Sequence, residues 1–236
     1  MTFLRNQHLV FMPGMDGTGL SFEPVLPLLP EDAKITIVHY PADKLLSFDE
    51  TVESAATQIP ADDPPIVIAE SFSGPVAIKM IGSGRVKAKA LILCATFAKS
   101  PKPLVWRIMR FLRLPLLIKP DMPKGFFRFV IGDDKLINEF LPLWKKVHTQ
   151  VPARVMQYRL KIINEIDVTD WLAPIKIPCC YLQALNDRLV PASCAEKIKK
   201  IKPLVEIKKI SAPHFILQAK PRTCLKAIGD FCMKQQ

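Results

Sequence analysis

Six short apolar runs are the feature of this sequence that most restricts its fold. They are hydrophobic at successive positions, as expected of strands covered on both faces of a sheet. The runs are His8–Met12, Lys34–Tyr40, Pro65–Ala69, Ala88–Ala95, Ile177–Leu182 and Leu204–Ile210. Segments with helical spacing lie between them, at Phe22–Leu29, Ser47–Gln58, Phe72–Ser83, Ala192–Lys200 and Pro221–Met233. This alternation predicts an α/β fold: a mostly parallel sheet of about six strands with helices on both faces.

One long interval, from Phe97 to about Pro174, breaks the alternation. It contains no strand pattern, but Trp106–Arg113, Lys135–His148 and Ala153–Ile166 have helical patterns, and prolines separate the pieces. An interval of this length with its own helices is too structured to be a plain loop. We therefore expect three segments: the N-terminal part of a core at 1–96, a helical cap at 97–174 and the C-terminal part of the core at 175–236.

The 236 residues carry a formal net charge of +11, and the charge is uneven along the chain. Residues 1–98 have 7 basic and 11 acidic side chains, whereas residues 99–236 have 26 and 11. A basic half can indicate a surface for nucleic acid or for an anionic membrane. Because no nucleic-acid motif accompanies the charge, we expect a lysine-rich face in water and no nucleic-acid partner.

The N-terminal residues lead almost at once into the first apolar run, so we expect no secretory signal and a cytoplasmic protein. No apolar stretch approaches the roughly 20 residues of a membrane span. The cysteines show neither CxxC spacing nor a zinc pattern, and most lie in apolar runs, as expected of buried reduced thiols. They are Cys94, Cys179, Cys180, Cys194, Cys224 and Cys232. We expect neither a metal nor an organic cofactor.

A serine with small neighbours, Ser71, directly follows the third apolar run, in the stretch Ala-Glu-Ser-Phe-Ser-Gly at 69–74. A sharp bend from strand to helix strains the backbone of such a serine, so the residues two positions away must be small. The bend lifts the hydroxyl above the carboxyl end of the sheet, next to backbone N–H groups of the new helix such as that of Phe72. By itself the stretch fits a nucleophile and a serine-rich turn equally well.

A glycine-rich loop, Pro-Gly-Met-Asp-Gly-Thr-Gly at 13–19, follows the first apolar run. Its glycines let the backbone fold closely and expose amides, so the N–H of Met15 is a candidate donor to an oxyanion. A phosphate-binding loop is the alternative, although neither nucleotide-binding glycine pattern matches. Gly14 and Asp16 are candidates for substrate contact, although for Asp16 we favour the interpretation that it stabilises its own loop.

Two more polar residues follow late apolar runs, Asp187 in the stretch at 186–191 and His214 in the stretch at 211–215. Singly, they fit an ordinary turn and a structural histidine. Together with Ser71, each lies at the carboxyl end of a predicted parallel strand, where ligands bind in open α/β sheets. The order Ser71, Asp187, His214 is the order of nucleophile, acid and base in the α/β-hydrolase fold.

On the stretches at 13–19, 69–74, 186–191 and 213–215, the chain resembles the α/β-hydrolase superfamily, in particular small serine esterases and thioesterases. The loop at 13–19 is also similar to the hydrolase part of plant phytyl ester synthases. The resemblance covers essentially the whole chain and implies a helical cap at the position of the long interval. It implies a catalytic triad of Ser71, His214 and Asp187, with the N–H groups of Met15 and Phe72 forming the oxyanion hole.

The sequence departs from the family pattern in two respects. Ala69 and Ser73 stand where glycines are usual, and both are small enough for the bend. The first apolar run already leads into the loop at 13–19, so we expect a trimmed sheet of six parallel strands without the family's antiparallel edge. The resemblance implies cleavage of carboxylic esters with short to medium acyl chains through an acyl-enzyme. Thioester cleavage and acyl transfer are close alternatives, and a ligand-sensing receptor with a retained triad is an alternative of another class.

Aromatic residues of the expected cap, among them Trp106 and Phe111, are candidates for the wall of an acyl pocket. At helical spacing, most such residues are better explained as plain core. The Trp106–Lys119 stretch also has a cationic arc that could contact an anionic membrane weakly. A cap helix packed on the core needs the same amphipathicity, and we favour that interpretation. The sequence leaves the oligomeric state open.

Overall fold

The structure is a computed structural model that describes residues 2–101 and 124–235. Its strands are β1 (His8–Met12), β2 (Lys34–Ile37), β3 (Ile66–Glu70), β4 (Ala90–Cys94), β5 (Cys179–Ala184) and β6 (Glu206–Ile210). They form one sheet in the order β2-β1-β3-β4-β5-β6, with every neighbouring pair parallel. Each of the six apolar runs overlaps one strand, so the predicted parallel sheet is confirmed.

The four inner strands, β1, β3, β4 and β5, are buried along their whole length. Their side chains alternate between two hydrophobic clusters: Val10 and Met12 join the cluster on one face, and Leu9 and Phe11 join the other. Because both faces are covered, nearly every position of these strands must be apolar. The edge strands β2 and β6 are partly exposed and carry lysines.

Helices cover both faces of the sheet, as predicted. In the described part of the chain they are α1 (Phe48–Ala56), α2 (Ser73–Gly82), α3 (Lys124–Val130), α4 (Asp134–Gln150), α5 (Ala153–Glu165), α6 (Thr169–Leu172), α7 (Ser193–Ile201), α8 (Ile216–Ala219) and α9 (Pro221–Met233). Buried apolar residues of α1, α2, α6 and α7, together with Ile162 and Ile163 of α5, belong to the cluster on one face. Those of α8 and α9 belong to the cluster on the other.

Among the predicted elements that lie in the described residues, the sequence patterns assigned the helix at Phe22–Leu29 wrongly. The structure has two short 3-10 helices there, Leu20–Phe22 and Leu26–Leu28. The physical reason is the proline spacing, with prolines at 24, 27 and 30. Each proline lacks the N–H that an α-helix needs, so a continuous helix is replaced by single turns with i→i+3 bonds.

Helices α3 to α6 lie between β4 and β5, in the interval where the sequence predicted helices. The patterns at Lys135–His148 and Ala153–Ile166 correspond to α4 and α5. The predicted helix at Trp106–Arg113 lies outside the described residues. The short helix α6 packs closely on α2, because a Cβ added at Gly82 would lie only 2.0 Å from the Trp171 carbonyl oxygen. The end of the interval therefore lies against the core.

All six cysteines are buried and free. Burial raises the pKa of the Cys179 thiol to about 11, so the thiol is neutral and unreactive at ordinary pH.

Among the helices in the described ranges, none has the length and apolarity that crossing a bilayer requires.

Candidate active site

Ser71 lies on a strained bend between β3 and α2, as its small neighbours predicted. Its φ is +51°, in the left-handed region that residues with a side chain rarely adopt. The neighbouring strand end holds both sides of this bend. The N–H of Ser71 donates to the Cys94 carbonyl oxygen at 3.0 Å, and the Thr96 hydroxyl donates to the Ser71 carbonyl oxygen. The strained backbone conformation is thus fixed by contacts on β4 and the residues that follow it.

Close packing explains the small residues around Ser71. A Cβ added at Gly74 would lie 1.9 Å from Thr96 Oγ1, so no side chain fits at this position. Ser73 is fully buried and does more than leave room, because its hydroxyl donates to the Pro13 carbonyl oxygen. The phenol of Tyr40 then donates to Ser73 Oγ. Burial raises the pKa of Tyr40, which keeps this phenol protonated.

His214 and Asp187 lie beside Ser71, as their positions after β6 and β5 predicted. Ser71 Oγ is 2.9 Å from His214 Nε2, and His214 Nδ1 is 2.7 Å from Asp187 Oδ2. The other Asp187 oxygen accepts the N–H groups of Leu189 and Val190, each at 2.8 Å. Since the carboxylate can only accept, we assign the proton of the neutral imidazole to Nδ1 and leave Nε2 as the acceptor for the serine.

The surroundings of His214 favour its protonated form. Burial by itself lowers the pKa of the imidazole, but the charge of Asp187, its hydrogen bond and the nearby Glu70 outweigh burial, so the net pKa is raised. The side chains of His214 and Asp187 are only 7% and 3% exposed, so water screens this interaction little. The site is therefore suited to hold a proton taken from Ser71.

The glycine loop places Met15 next to the serine. The Gly17 N–H donates to the Gly14 carbonyl oxygen at 3.1 Å, which closes a turn with Met15 and Asp16 at its tip. A Cβ added at Gly14 would lie 3.9 Å from Ser71 Cβ, so this loop and the bend are neighbours. Within residues 2–101 and 124–235, neither the Met15 N–H nor the Phe72 N–H donates to a protein acceptor. Both groups are thus available to a ligand oxygen.

Asp16 stabilises its own loop, in line with one of its two sequence interpretations. Its Oδ1 accepts the Thr18 N–H at 2.9 Å and the Thr18 hydroxyl at 2.5 Å. Burial raises the pKa of this carboxyl, and the bonds from Thr18 oppose the rise. Asp16 also lines the pocket above Ser71, so contact with a substrate stays a prediction.

Arg159 on α5 is a site residue that the sequence patterns missed. Its guanidinium donates to the carbonyl oxygens of Met15 and Asp16, both at 2.8 Å, and to that of Pro41 at 2.9 Å. It also lies 5.6 Å from the centre of the Tyr40 ring. Burial lowers the pKa of this group, and Tyr40 and Asp16 oppose the change. In an amphipathic helix an arginine resembles a surface charge, so only the tertiary contacts identify its role.

Glu70, directly before the serine, is buried beneath the site. It is 4% exposed, and its Oε2 accepts the Gln218 side-chain N–H at 3.0 Å. Burial raises the pKa of Glu70 to about 7, against the opposing effects of Gln218 and His214. Among the described residues, Glu70 Oε1 and Gln218 Oε1 have no partner. Glu70 is therefore a second titratable group close to the imidazole.

An apolar pocket of about 120 Å³ opens above Ser71. Its core side includes Gly14, Met15, Asp16, Ser21, Glu70, Phe97, Leu189, Val190, His214 and Phe215. Its other side includes Phe140, Leu143, Trp144, Val147, Met156 and Ile163 from α4 and α5. Trp106 and Phe111, which the sequence proposed for this wall, lie outside the described residues.

Among the residues that are described, no group of three or more His, Cys, Asp or Glu is placed to hold a metal.

Comparison with solved structures identifies the fold. The chain superposes on an esterase (EaEST) from Exiguobacterium antarcticum with a TM-score of 0.82 and 14% identity, covering 97% of this chain and 92% of that one. For MenH from S. aureus the TM-score is 0.80 at 16% identity, covering 98% and 95%. For the enol-lactonase from Burkholderia xenovorans the TM-score is 0.77 at 11% identity, covering 96% and 91%. Neither the family models nor the curated proteins that were searched gave a match.

These likenesses extend over nearly the whole chain, so the fold predicted from the sequence is confirmed as the α/β-hydrolase fold. At identities of 11–16% they define the fold and leave the chemistry to the residues of the site. That site contains a serine on a strained bend, hydrogen-bonded to a histidine that is in turn hydrogen-bonded to an aspartate. It also contains an apolar pocket and two backbone N–H groups that have no acceptor among the described residues.

Proposed function

We propose that this protein is a serine hydrolase that cleaves carboxylic esters with short to medium acyl chains through an acyl-enzyme. The observation that supports this best is the pair of hydrogen bonds that joins Ser71 to His214 at 2.9 Å and His214 to Asp187 at 2.7 Å. Serine hydroxyls are weak nucleophiles, and a positioned base within hydrogen-bond reach is what activates them.

In the first step, Ser71 Oγ attacks the ester carbonyl carbon and its proton passes to His214 Nε2. Asp187 keeps the other ring nitrogen protonated and stabilises the imidazolium that forms. The leaving alcohol then takes the proton from His214 as the tetrahedral intermediate collapses. The products of this step are the free alcohol and an acyl group bound to Ser71 Oγ.

The negative oxygen of the tetrahedral intermediate needs donors that are already in place. The N–H groups of Phe72 and Met15 are suited to this because Phe72 directly follows Ser71, the loop of Met15 lies against the bend, and neither N–H has a protein acceptor in the described ranges. One such donor is worth about 3 kcal/mol in the transition state. Arg159 holds the Met15 loop by its carbonyls, and we assign it a positioning role rather than a catalytic one.

In the second step, a water molecule attacks the acyl carbon while His214 Nε2 takes its proton. The serine leaves as the tetrahedral intermediate collapses, and it regains its proton from His214. Ester and thioester substrates share this acyl-enzyme, so the preferred leaving group has to be measured. These steps use the substrate, a water molecule, and the side chains and backbone amides named above.

The pocket supports a short to medium aliphatic acyl group. A cavity of about 150 Å³ holds a ring of about six carbons, so a pocket of this size takes an acyl chain on the order of five carbons. Its walls are mostly aliphatic and aromatic, which favours an uncharged chain. The names of two structural neighbours, an esterase and an enol-lactonase, agree with ester cleavage.

The direct test is steady-state turnover of p-nitrophenyl esters and matched acyl-thioesters, with the Ser71→Ala protein as the blank. We expect the wild-type protein to turn over many equivalents and the variant to lose at least about 10⁴-fold in kcat. A single burst of one equivalent without turnover would favour the receptor alternative. Equal activity in both proteins would refute the proposed role of Ser71.

A further inference from the structure

A second cavity lies behind the acyl pocket, and the function proposed above does not use it. Its volume is about 90 Å³, and most of its wall is apolar. Ile131, Leu136 and Pro24 line it, together with Pro213 and Ala219 from the segment around His214. Among the described residues, this cavity is separate from the acyl pocket. A ligand can therefore occupy both only if the wall between them opens.

Three residues line both cavities and therefore form the partition between them: Phe140, Leu143 and Phe215. The rings of Phe140 and Phe215 face each other with their centres 4.3 Å apart and their planes tilted by 37°. Phe215 directly follows His214 in the core, whereas Phe140 belongs to α4. The partition thus joins the catalytic side of the site to the helices that cover it.

The aromatic cluster around α4 fixes the position of the Phe140 ring. Its centre is 6.3 Å from the Phe127 ring and 6.3 Å from the Trp144 ring. The Phe127 and Trp144 rings in turn meet edge to face at 5.5 Å. Because rings in such a cluster pack in preferred orientations, Phe140 is held as a rigid end wall.

We propose that Phe140 is the chain-length stop of the acyl pocket, and that the cavity behind it is a subsite for the distal carbons of an unbranched aliphatic acyl chain. This inference rests on the proposed hydrolase function. We assign an acyl chain as the ligand of the second cavity because this cavity and the acyl pocket share one wall. With the Phe140 ring in place, the acyl group is limited to the first pocket.

The sizes of the two cavities set the expected limits on chain length. By comparison with the cavity of about 150 Å³ that holds six ring carbons, the second cavity takes about four further carbons. Opening the partition therefore extends the accepted acyl group from the order of five carbons to about nine. Glu139 borders the second cavity and is exposed, so a chain that ends in a carboxylate is disfavoured there.

The test is the profile of kcat/KM over straight-chain p-nitrophenyl esters from acetate to dodecanoate, for the wild-type protein and for Phe140→Ala. In the wild type, we expect kcat/KM to fall for acyl groups beyond hexanoate. In Phe140→Ala, we expect the ratio of decanoate to butanoate activity to rise by at least about tenfold, since each buried methylene contributes to transition-state binding. Phe140→Leu removes the ring but keeps an apolar side chain, so we expect a smaller shift in the same direction. This variant provides the test if Phe140→Ala is poorly folded.

Two further variants make the result specific to the partition. Phe126→Ala removes an aromatic ring from the same cluster, at a residue that lines neither cavity as described, and is expected to keep the wild-type profile. Leu136→Phe fills the second cavity. In the Phe140→Ala background it is expected to abolish the gain for decanoate and leave activity on butanoate in place.

The outcomes separate this inference from the proposed function. If the wild type turns over esters in a Ser71-dependent manner but folded Phe140→Ala and Phe140→Leu keep its profile, the chain-length stop is wrong and the hydrolase proposal stands. The stop is also wrong if Phe126→Ala produces the same shift. If the wild type shows no turnover of any ester, the proposed function itself fails.

Discussion

The two sides of the pocket are specified in different ways. On the core side, Ser71, Asp187 and His214 follow the ends of β3, β5 and β6, and each position is fixed by backbone geometry. On the other side, α4 and α5 contribute Phe140 and Arg159 through packing and long-range hydrogen bonds. The comparison teaches that the chemistry is set by the sheet, whereas the shape of the pocket and support of the glycine loop come from the covering helices.

Replacing a member of the core-side hydrogen-bonded set gives the largest expected effect. We expect Asp187→Asn to lower kcat by about 10⁴-fold, because an amide no longer holds the imidazole in the tautomer that accepts from Ser71. The measurement is steady-state ester hydrolysis with circular dichroism to verify the fold. Asp167→Asn is the matched control, since Asp167 is a half-exposed carboxylate paired with Lys99 away from the pocket. A loss of less than tenfold in Asp187→Asn would contradict the core-side account.

Gly74→Ala tests whether backbone packing at the bend is as tight as the structure indicates. The added methyl would lie 1.9 Å from Thr96 Oγ1, so we expect a loss of about 1–3 kcal/mol in the free energy of unfolding and displacement of the bend. Denaturant unfolding measures the first effect, and ester turnover measures the second. Gly229→Ala, in α9, is the control: it meets nothing within 4 Å and is expected to be neutral or stabilising.

Arg159→Met tests the contribution of the covering helices to the core-side chemistry. The variant keeps much of the side-chain volume but leaves three backbone carbonyls without their donor, so we expect about 1–3 kcal/mol of destabilisation. Because we propose that the Met15 N–H acts on the transition state, we expect kcat to fall more than KM rises. Arg154→Met, at an exposed position of the same helix, is expected to change neither quantity. Equal losses in the two variants would show that the loop needs no support from α5.

The pH dependence of stability and of activity isolates Glu70. Its pKa is raised from 4.5 to about 7, so the folded state holds a proton that the unfolded state releases. Stability therefore falls as the pH rises from about 4.5 to 7, by a contribution on the order of 3 kcal/mol. Glu70→Gln is expected to remove this decline, as measured by urea unfolding between pH 4.5 and 8.

The same variant affects the catalytic pH profile. The nearby Glu70 helps to raise the pKa of His214, so its replacement by a neutral amide is expected to lower that pKa. Since an imidazole acts as a base only when neutral, the proposed role of His214 predicts that the acidic limb of kcat/KM moves to lower pH. Asp187 and Asp16 also act electrostatically on Glu70 and are unchanged in this variant. A profile that moves to higher pH would contradict the electrostatic account.

Much of the core side of the pocket was predictable because local sequence patterns determine the positions of its residues. The buried strands required continuous apolar runs, and the strained φ of Ser71 required small neighbours such as Gly74. The positions of Ser71, Asp187 and His214 after predicted parallel strands then indicated one edge of the sheet. The wrong prediction of a helix at Phe22–Leu29 also has a local cause. The apolar spacing of this segment favours a helix, but its regularly spaced prolines prevent one.

The remaining features depend on contacts between distant residues. Arg159 lies 143 positions from Asp16, and nothing in its own helix distinguishes it from a surface arginine. Glu70 Oε1 and Gln218 Oε1, which have no partner in the part of the chain that the structure describes, meet only when β3 and α8 are brought together. The partition formed by Phe140 and Phe215 likewise needs the placement of α4 against the core. No periodicity in the sequence reports such pairings.

The central claim, that Ser71 is an activated nucleophile, is tested most directly by covalent labelling with a fluorophosphonate and peptide mass spectrometry. The account predicts one adduct per folded chain, located on Ser71, and much slower labelling in folded His214→Ala. Excess ester substrate should protect the wild-type protein. A folded, unmodified protein after prolonged exposure, or an adduct on another residue with Ser71 untouched, would contradict the account.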